Sequence, residues 1–458
     1  MKTRIGLKPR CVLFTCILAL IGTFIIPSNG RADTIEDLKQ QIQLLQKKVE
    51  MLEKQQAETK AAVAAVPAPA APQAPAKKLP PGYFMVPGTD TELRINGYAK
   101  LDVVWSDVKS GENATEDNDE FLSAFTIPLS NTPNLERNHL VFTARQTRLN
   151  VGTSTKTAYG PLTTYFEGDF YGGGAGIAGA GNQVVSNGYE FRLRHAFGTL
   201  GPFLAGQTWS TIMSLPSIPE TVDFGGPSAQ LFVRTPQLRW TQPVPEFGDV
   251  QFAVENPQTY VYNEKGAKAS YDDDRIPDVI LKATYKQPWG QLSLGGVLRQ
   301  LRYDDGLNHD DTIGGFGSFA GMIKTFDKDD IRFQINYGNA IGRYQYTLFG
   351  DGILKPDKTL DTLTQWGGFV AYRHFWMEGL RSNIVYSYGA ADNDMDILTS
   401  AAAGVINKNI QTGHLNLIWS PVPKIDLGLE YIYGYREVEN GQDGTLNRIQ
   451  FGAQYNFF

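Results

Sequence analysis

Residues 91–105 read Thr-Glu-Leu-Arg-Ile-Asn-Gly-Tyr-Ala-Lys-Leu-Asp-Val-Val-Trp, and this stretch decides the fold. Apolar side chains occupy its odd positions, at Leu93, Ile95, Ala99, Leu101, Val103 and Trp105. Polar groups intervene at the even positions, at Glu92, Arg94, Asn96, Tyr98, Lys100 and Asp102. A period of two is typical of a β-strand with one apolar and one polar face. The sequence therefore predicts a strand from residue 92 onward.

The same alternation recurs to the end of the chain, for example in 189–194, 425–433 and 449–457. A run of about ten residues, rising ~3.3 Å per residue and tilted by ~40°, spans the ~25 Å apolar band of an outer membrane. The predicted fold class is all-β, a transmembrane antiparallel β-barrel. A soluble β-sandwich also alternates, but its second face would have to be a core large enough for every strand.

The connections between these runs predict the topology. Short turns are predicted near 159–161, 200–202, 243–248, 288–290, 327–329, 376–378 and 421–423. Long polar loops are predicted near 107–135, 172–187, 210–234, 257–275, 303–311, 341–362, 391–407 and 437–445. Because short and long connections alternate, we expect about sixteen strands with both chain ends on the short-turn side, which is periplasmic.

Three segments precede the predicted barrel at 83–458. Residues 1–32 have a basic start, an apolar stretch at 11–26 and the small-x-Ala sequence Gly30-Arg31-Ala32, which together predict a cleaved signal peptide. An uncleaved membrane anchor is the alternative. Residues 61–82 are rich in Ala and Pro and predict an extended linker.

Residues 33–60 predict an α-helical coiled coil in the periplasm. The apolar positions step by alternating threes and fours, at Ile35, Leu38, Ile42, Leu45, Val49 and Leu52, behind a capping box at 34–37. An amphipathic helix docked on another surface is the alternative. The choice of Ile or Val at heptad position a and Leu at position d favours a coiled coil of two chains.

Composition excludes several classes of site. Both cysteines, Cys11 and Cys16, lie in the leader, so the sequence predicts no disulfide, no thiolate metal site and no cofactor in the mature chain. The net charge of −6 gives no indication of a nucleic-acid partner. No run of eighteen apolar residues follows the leader, which excludes helical membrane spans.

The stretch Pro87-Gly-Thr-Asp-Thr-Glu-Leu-Arg-Ile-Asn-Gly-Tyr-Ala-Lys-Leu-Asp102 resembles the DcaP-like outer-membrane porins. The order of leader, coil, Ala/Pro spacer, the Arg-Gln-Thr-Arg-Leu run at 145–149 and a terminal aromatic pair fits the same family. The resemblance implies a homotrimer of sixteen-stranded barrels, each with its own pore, that takes up small anionic solutes such as dicarboxylates. The family implies three chains, whereas the coil sequence favours two. We expect three, because contacts between barrel walls bury more surface than three heptads of coil can.

Lumen-facing charges are the candidate functional residues, because the charges lining a pore set its selectivity. Alternation points Arg192, Arg194 and Arg239 into the lumen. Arg145 and Arg148 have opposite parity, and a β-bulge between them would let both point inward. These five are the predicted pore-lining, anion-binding residues. The loop at 210–234 is expected to fold into the barrel and form the constriction, through Glu220, Asp223 and Arg234.

Other functions remain open at this stage. A general, non-specific porin also uses an acidic loop facing a basic wall, and a structural barrel that tethers envelope layers, with the coil on peptidoglycan, needs no lumen arginines. The chain is not expected to be an enzyme, because none of its five histidines accompanies a nucleophile motif. Lipopolysaccharide and outer-membrane lipids are expected partners, and the acidic loop tracts either bind bridging cations or are simply solvated.

Overall fold

The computed structural model describes residues 43–57 apart from 45 and 56, and residues 79–458 apart from 110–118, 134, 136, 173–186, 270–273 and 347. The chain divides into two units, Met1–Lys78 and Leu79–Phe458. In the first, the described residues are helical. The predicted leader and much of the predicted coil and linker lie outside the described residues, so self-association of the helix stays a prediction. No helix among the described residues is long and apolar enough to cross a membrane.

The second unit is built almost wholly from antiparallel strands. They are β1 (Tyr83–Met85), β2 (Thr91–Val108), β3 (Arg137–Thr143), β4 (Arg148–Thr157), β5 (Gly160–Gly172), β6 (Glu190–Leu200), β7 (Phe203–Trp209), β8 (Arg234–Val244), β9 (Gly248–Glu255), β10 (Val261–Asn263), β11 (Asp278–Gln287), β12 (Gly290–Asp304), β13 (His309–Lys324), β14 (Asp330–Asn339), β15 (Gly352–Leu354), β16 (Leu360–Thr362), β17 (Thr364–Met377), β18 (Leu380–Asp392), β19 (Asn407–Val422), β20 (Ile425–Val438) and β21 (Asp443–Asn456). Short helical turns lie at Ala124–Thr126, Leu215–Ser217, Gly342–Gln345 and Ser400–Ala403.

The main sheet closes into a barrel. It holds 18 strands, and it closes because β2 pairs with β21 as well as with β3 and β4. Strand β1 is a three-residue addition beside β2, while β3 and β4 share one position in the wall. The described wall is therefore a closed antiparallel barrel of sixteen strands, which confirms the predicted fold class for this part of the chain.

The connections follow the predicted alternation, except that two of them differ in length from the prediction. The seven predicted short turns all join neighbouring strands, as at 201–202 between β6 and β7. Two of the eight predicted long loops are instead tight, because β12 pairs with β13 out to Asp304↔His309 and β20 pairs with β21 out to Glu437↔Asp443. Sequence polarity alone predicted loops there, but backbone pairing continues beyond the apolar band.

The two faces of the wall differ as the alternation requires. Apolar side chains such as Leu101, Leu238 and Leu294 are exposed on the outside, while Lys100, Asp102 and Ser106 are buried inside. Aromatic residues lie at the short turns, at Phe203, Phe247, Trp289, Phe326 and Trp376. An apolar outer band ending in an aromatic rim is the pattern of a transmembrane barrel in its bilayer.

Apolar patches also occur on the inner wall, where loops pack against it. Ala253, Ile280, Val297 and Phe316 project inward and contact Ile212, Met213, Leu231, Ile341 and Tyr344 from two loops. Burial of these side chains fixes the loops inside the barrel because it removes apolar surface from water. The interior is therefore partly filled by its own loops.

Candidate functional site

The loop between β7 and β8, residues 210–233, crosses the barrel interior and is called the crossing loop below. The Val222 amide donates to Glu430 Oε2 at 2.8 Å on β20, and Lys100 Nζ of β2 donates to the Val222 carbonyl at 2.9 Å. Further along the loop, the Ala229 amide donates to Ser387 Oγ at 3.0 Å on β18. The loop thus reaches from the wall at β7 and β8 to the wall at β2, β18 and β20.

Asp223 fixes the tip of the crossing loop. Its carboxylate accepts from the backbone amides of Leu122 (2.9 Å), Gly225 (2.7 Å) and Gly226 (3.1 Å). Burial raises the pKa of the Asp223 carboxyl, an effect that the nearby Arg448 guanidinium opposes. The side chain is fully buried, so Asp223 holds the loop in shape and does not face open lumen.

Five arginines, on the alternate strands β4, β6 and β8 and at the bulge between β3 and β4, form the arginine cluster, which consists of Arg145, Arg148, Arg192, Arg194 and Arg234. They surround the three carboxylates of Glu120, Glu167 and Asp169. Asp169 accepts from Arg192 Nε at 2.9 Å and Nη2 at 2.8 Å, and also from Arg194 Nη1 at 2.8 Å. One carboxylate cannot neutralise two guanidinium groups, so the cluster keeps a positive surplus.

The remaining members of the arginine cluster have different partners. Arg194 Nε donates to Glu167 Oε1 at 2.8 Å, with Arg148 3.5 Å from the same atom, and Arg145 donates to Glu120 at 2.6 Å. Among the described residues, Arg234 has no ion pair, and its guanidinium lies 4.5 Å from the centre of the Trp209 ring. The Arg194 side chain is 3% exposed, whereas the Arg192 side chain is 31% exposed.

Two β-bulges aim these arginines. Between Tyr98↔Arg148 and Asp102↔Thr143, the three residues 99–101 of β2 face the four residues 144–147, which is the bulge that the sequence required for Arg145 and Arg148. The second bulge was not predicted. Glu167 pairs with His195 and Gly168 with Leu193, so Arg194 is the extra residue and both it and His195 are buried inside.

Aromatic rings line the centre of the barrel beside the arginine cluster. Phe121, Phe224, Phe232 and Tyr346 come from three different loops and contact one another in a closed circuit, with ring centres 5.6 to 6.4 Å apart. Arg192 and Arg194 each lie 5.6 Å from the centre of the Phe224 ring. Loop aromatics carry no periodic signal, so sequence reasoning missed this circuit.

The other predicted site residues lie apart from the arginine cluster. Glu220 pairs with Arg381 at 2.8 Å and Arg373 at 3.5 Å, on β18 and β17. Arg239 faces inward on β8, in a separate cavity nearer the short turns. Glu220 therefore faces the basic residues of β17 and β18, and among the described residues neither Glu220 nor Asp223 forms an ion pair with the arginine cluster.

The arrangement can attract and orient anions, because guanidinium groups donate charge-assisted hydrogen bonds to carboxylates and phosphates. Within the described part of the chain, no three His, Cys, Asp or Glu side chains are grouped as metal ligands. Four of the five histidines, at positions 139, 195, 374 and 414, contact other side chains through Nδ1, as in the contact of His195 Nδ1 with Thr208 Oγ1 at 3.0 Å. The site's chemistry is that of ion pairing inside a barrel.

Comparisons with known proteins agree with this architecture. The family described as DcaP outer membrane protein matches residues 87–457. The crystal structure of the outer membrane channel DcaP of Acinetobacter baumannii aligns with a TM-score of 0.68 and 22% identity, covering 82% of this chain and 99% of that one. An anion-selective porin from Comamonas acidovorans aligns with a TM-score of 0.51 and 11% identity, covering 80% of this chain and 100% of that one. No curated protein matches in sequence.

Proposed function

This chain belongs to the DcaP outer membrane protein family, a family of outer-membrane channels, and on that premise we propose that it is a channel for diffusion-driven uptake of small anionic solutes such as dicarboxylates. The observation that carries the proposal is the positive surplus of the arginine cluster, where five arginines meet three carboxylates. Low-dielectric walls strengthen the field of such charges at a constriction.

Arg192 and Arg234 are the residues best placed to meet a solute. Among the described residues, Arg192 is partly exposed and shares its only carboxylate, Asp169, with Arg194, and Arg234 has no carboxylate partner. Arg194 and Arg148 hold Glu167 and so position the others. Each solvent-exposed contact would contribute about 1 kcal/mol, which concentrates an anion without trapping it.

A general, non-specific porin is the second candidate. It is favoured by the pairing of Arg145, Arg148, Arg192 and Arg194 with carboxylates, since paired charges can create a transverse field without selecting a solute. The two candidates differ in what they predict for neutral solutes. Only the anion channel should pass succinate faster than a neutral sugar of similar size.

The sign of the lumen charge can be tested in both directions. Reversal potentials in planar bilayers under a KCl gradient should indicate anion preference in the wild type, less preference in Arg192→Gln and more in Asp169→Asn, because the two changes move the lumen charge by equal and opposite amounts. Lys156→Gln, an exposed charge at the end of β4, is the control. A wild-type preference for cations would favour the general porin. Equal losses of succinate flux and sugar flux in Arg192→Gln, measured by liposome swelling, would favour it too.

We also propose that the mature chain begins after residue 32, assembles as a homotrimer and keeps its coil at 33–60 in the periplasm, with the linker at 61–82 as a spacer. The position of the short turns on the side of both barrel ends supports the periplasmic placement. Contact of the coil with peptidoglycan, and of the acidic loops with lipopolysaccharide, are further parts of this proposal. Cosedimentation with purified peptidoglycan would test the first.

A further inference from the structure

A second group of cations lies under the crossing loop, on the side of the short turns. There a cavity of about 270 Å³ opens between loop residues 210–216 and five adjacent wall strands, β7, β8, β9, β11 and β12. Its polar lining includes Arg239, Asp249, Gln251, Lys282, Lys286 and Gln291. Lys286 and Gln291 are next to the turn at 288–289, which places the cavity towards the periplasmic mouth.

The cavity carries more positive than negative charge. Lys286 Nζ pairs with Asp249 Oδ2 at 2.6 Å, which neutralises one cation. Arg239 and Lys282 have no ion pair among the described residues. The next carboxylate on β9, Glu255, accepts from the Thr211 amide at 2.7 Å and so is committed to the crossing loop. Arg239 and Lys282 therefore have no direct ion pair among the described residues, and with Lys286 they place three cations against the two carboxylates of Asp249 and Glu255.

Lys282 carries a buried charge that a bound anion would stabilise. It is 8% exposed, and its ammonium donates to the Met213 carbonyl at 2.8 Å, while an ammonium has three N–H donors. A buried charge is costly unless it is paired and hydrogen-bonded. The side chains of Thr284 and Ser214 also line the space and can donate to an oxygen.

We propose that this cavity is a second anion-binding subsite, formed by Arg239 and Lys282, that takes a carboxylate or phosphate group on the periplasmic side of the crossing loop. The subsite rests on the proposed anion-channel function and adds to it a place where the solute binds after passing the arginine cluster. Arg239 presents a planar donor pair and Lys282 a point charge, an arrangement that suits an oxyanion. Two weak sites in series allow exit as well as entry.

Block of chloride current is the readout that isolates this subsite. Single channels of the full chain are recorded in planar bilayers while succinate, or in a second arm inorganic phosphate, is added to both sides. Lys282→Gln and Arg239→Gln should each raise the half-blocking concentration of succinate about tenfold, since each removes one charge-assisted contact. Lys324→Gln, an exposed lysine on the same rim that lies outside the cavity, should leave it unchanged.

The outcomes separate the subsite from the rest of the channel. Because only inserted channels conduct, a recorded current already shows that a variant has folded. An unchanged half-blocking concentration in Lys282→Gln overturns the subsite, as does a wild type that neither anion blocks. Block by both anions assigns the cavity to oxyanions in general, and block by succinate alone assigns it to carboxylates. In Arg192→Gln channels the block that depends on Lys282 should persist. The reversal potential tests the role of the arginine cluster separately, so failure of the proposed anion-channel function can be distinguished from failure of the subsite.

Discussion

Gly97 links the Asn96-Gly97-Tyr98 sequence to the placement of Arg148. Its φ is +149°, and a Cβ there would lie 2.2 Å from the Arg148 carbonyl oxygen. The Gly97 amide donates to its neighbour's side chain, Asn96 Oδ1, at 2.7 Å. Tyr98 then lies beneath Arg148, with the guanidinium 5.2 Å from the centre of its ring. The absence of a side chain at Gly97 lets β2 and β4 approach closely enough for this contact.

We expect Gly97→Ala to lower the free energy of unfolding by more than about 1 kcal/mol, because alanine is strained at this φ and its Cβ would collide with backbone. Urea unfolding in lipid vesicles measures the change. Gly88→Ala is the matched control, since Gly88 also has a positive φ of +76° but nothing within 4 Å of the added Cβ. Equal effects of the two substitutions would mean that the close approach to Arg148 is not stabilising.

The crossing loop is the element that divides the interior. Its tip depends on Glu430, which accepts from the Val222 and Asp223 amides at 2.8 and 3.2 Å. Its return segment is held by Leu231, whose amide donates to Gln334 Oε1 at 2.9 Å on β14. These bonds come from side chains on distant strands, so the loop's conformation depends on the closed wall.

Asp223→Asn should loosen the tip of the crossing loop, because an amide oxygen is a weaker acceptor for the three backbone amides than a carboxylate. Single-channel recordings should then contain more frequent brief closures at neutral pH. Since burial raises the pKa of Asp223, acidification protonates it earlier than an ordinary carboxyl, and the wild type should develop the same closures as the pH falls. If acidification increases the closures as much in Asp223→Asn as in the wild type, a group other than Asp223 causes them.

At the scale of the whole molecule, the barrel is closed by its own strands. The closure pairs β2 with β21 from Tyr98↔Asn456 to Ser106↔Arg448, and β1 adds only three pairs, from Tyr83↔Arg94 to Met85↔Glu92. The Gly82 carbonyl accepts from the Ile95 amide at 3.0 Å, so the barrel's backbone contacts begin about there. Stability of the wall follows from this continuous pairing, in which each of the sixteen described wall positions has a hydrogen-bonded neighbour on both sides.

Deletion of residues 33–78 should therefore leave an inserted barrel with wild-type single-channel conductance. The deletion stops before Gly82, which keeps the contact with β2. Heat-resistant oligomers on gel electrophoresis measure the second consequence, and we expect them to persist because the outer wall offers more apolar surface than three heptads. Their loss, with conductance retained, would identify the coil as the main element of assembly.

The sequence by itself determined the wall. Alternation with a period of two reports which side of a strand meets lipid, and this depends only on neighbours in the chain, so the antiparallel barrel, its strand number and its seven short turns could be predicted. The opposite parity of Arg145 and Arg148 even indicated the bulge at 144–147. The inward direction of Arg192, Arg194 and Arg239 followed from the same rule.

Only the tertiary structure decided what the inward residues contact. The pairing of Arg192 and Arg194 with Asp169, the aromatic circuit of Phe224, and the separation of Glu220 from the arginine cluster all join residues far apart in sequence. The bulge at Arg194 also had no sequence signal, because it depends on the register of β5 against β6. Charge neutralisation in the lumen depends on distances across the barrel, and these exist only once the wall has closed and the loops have folded into it.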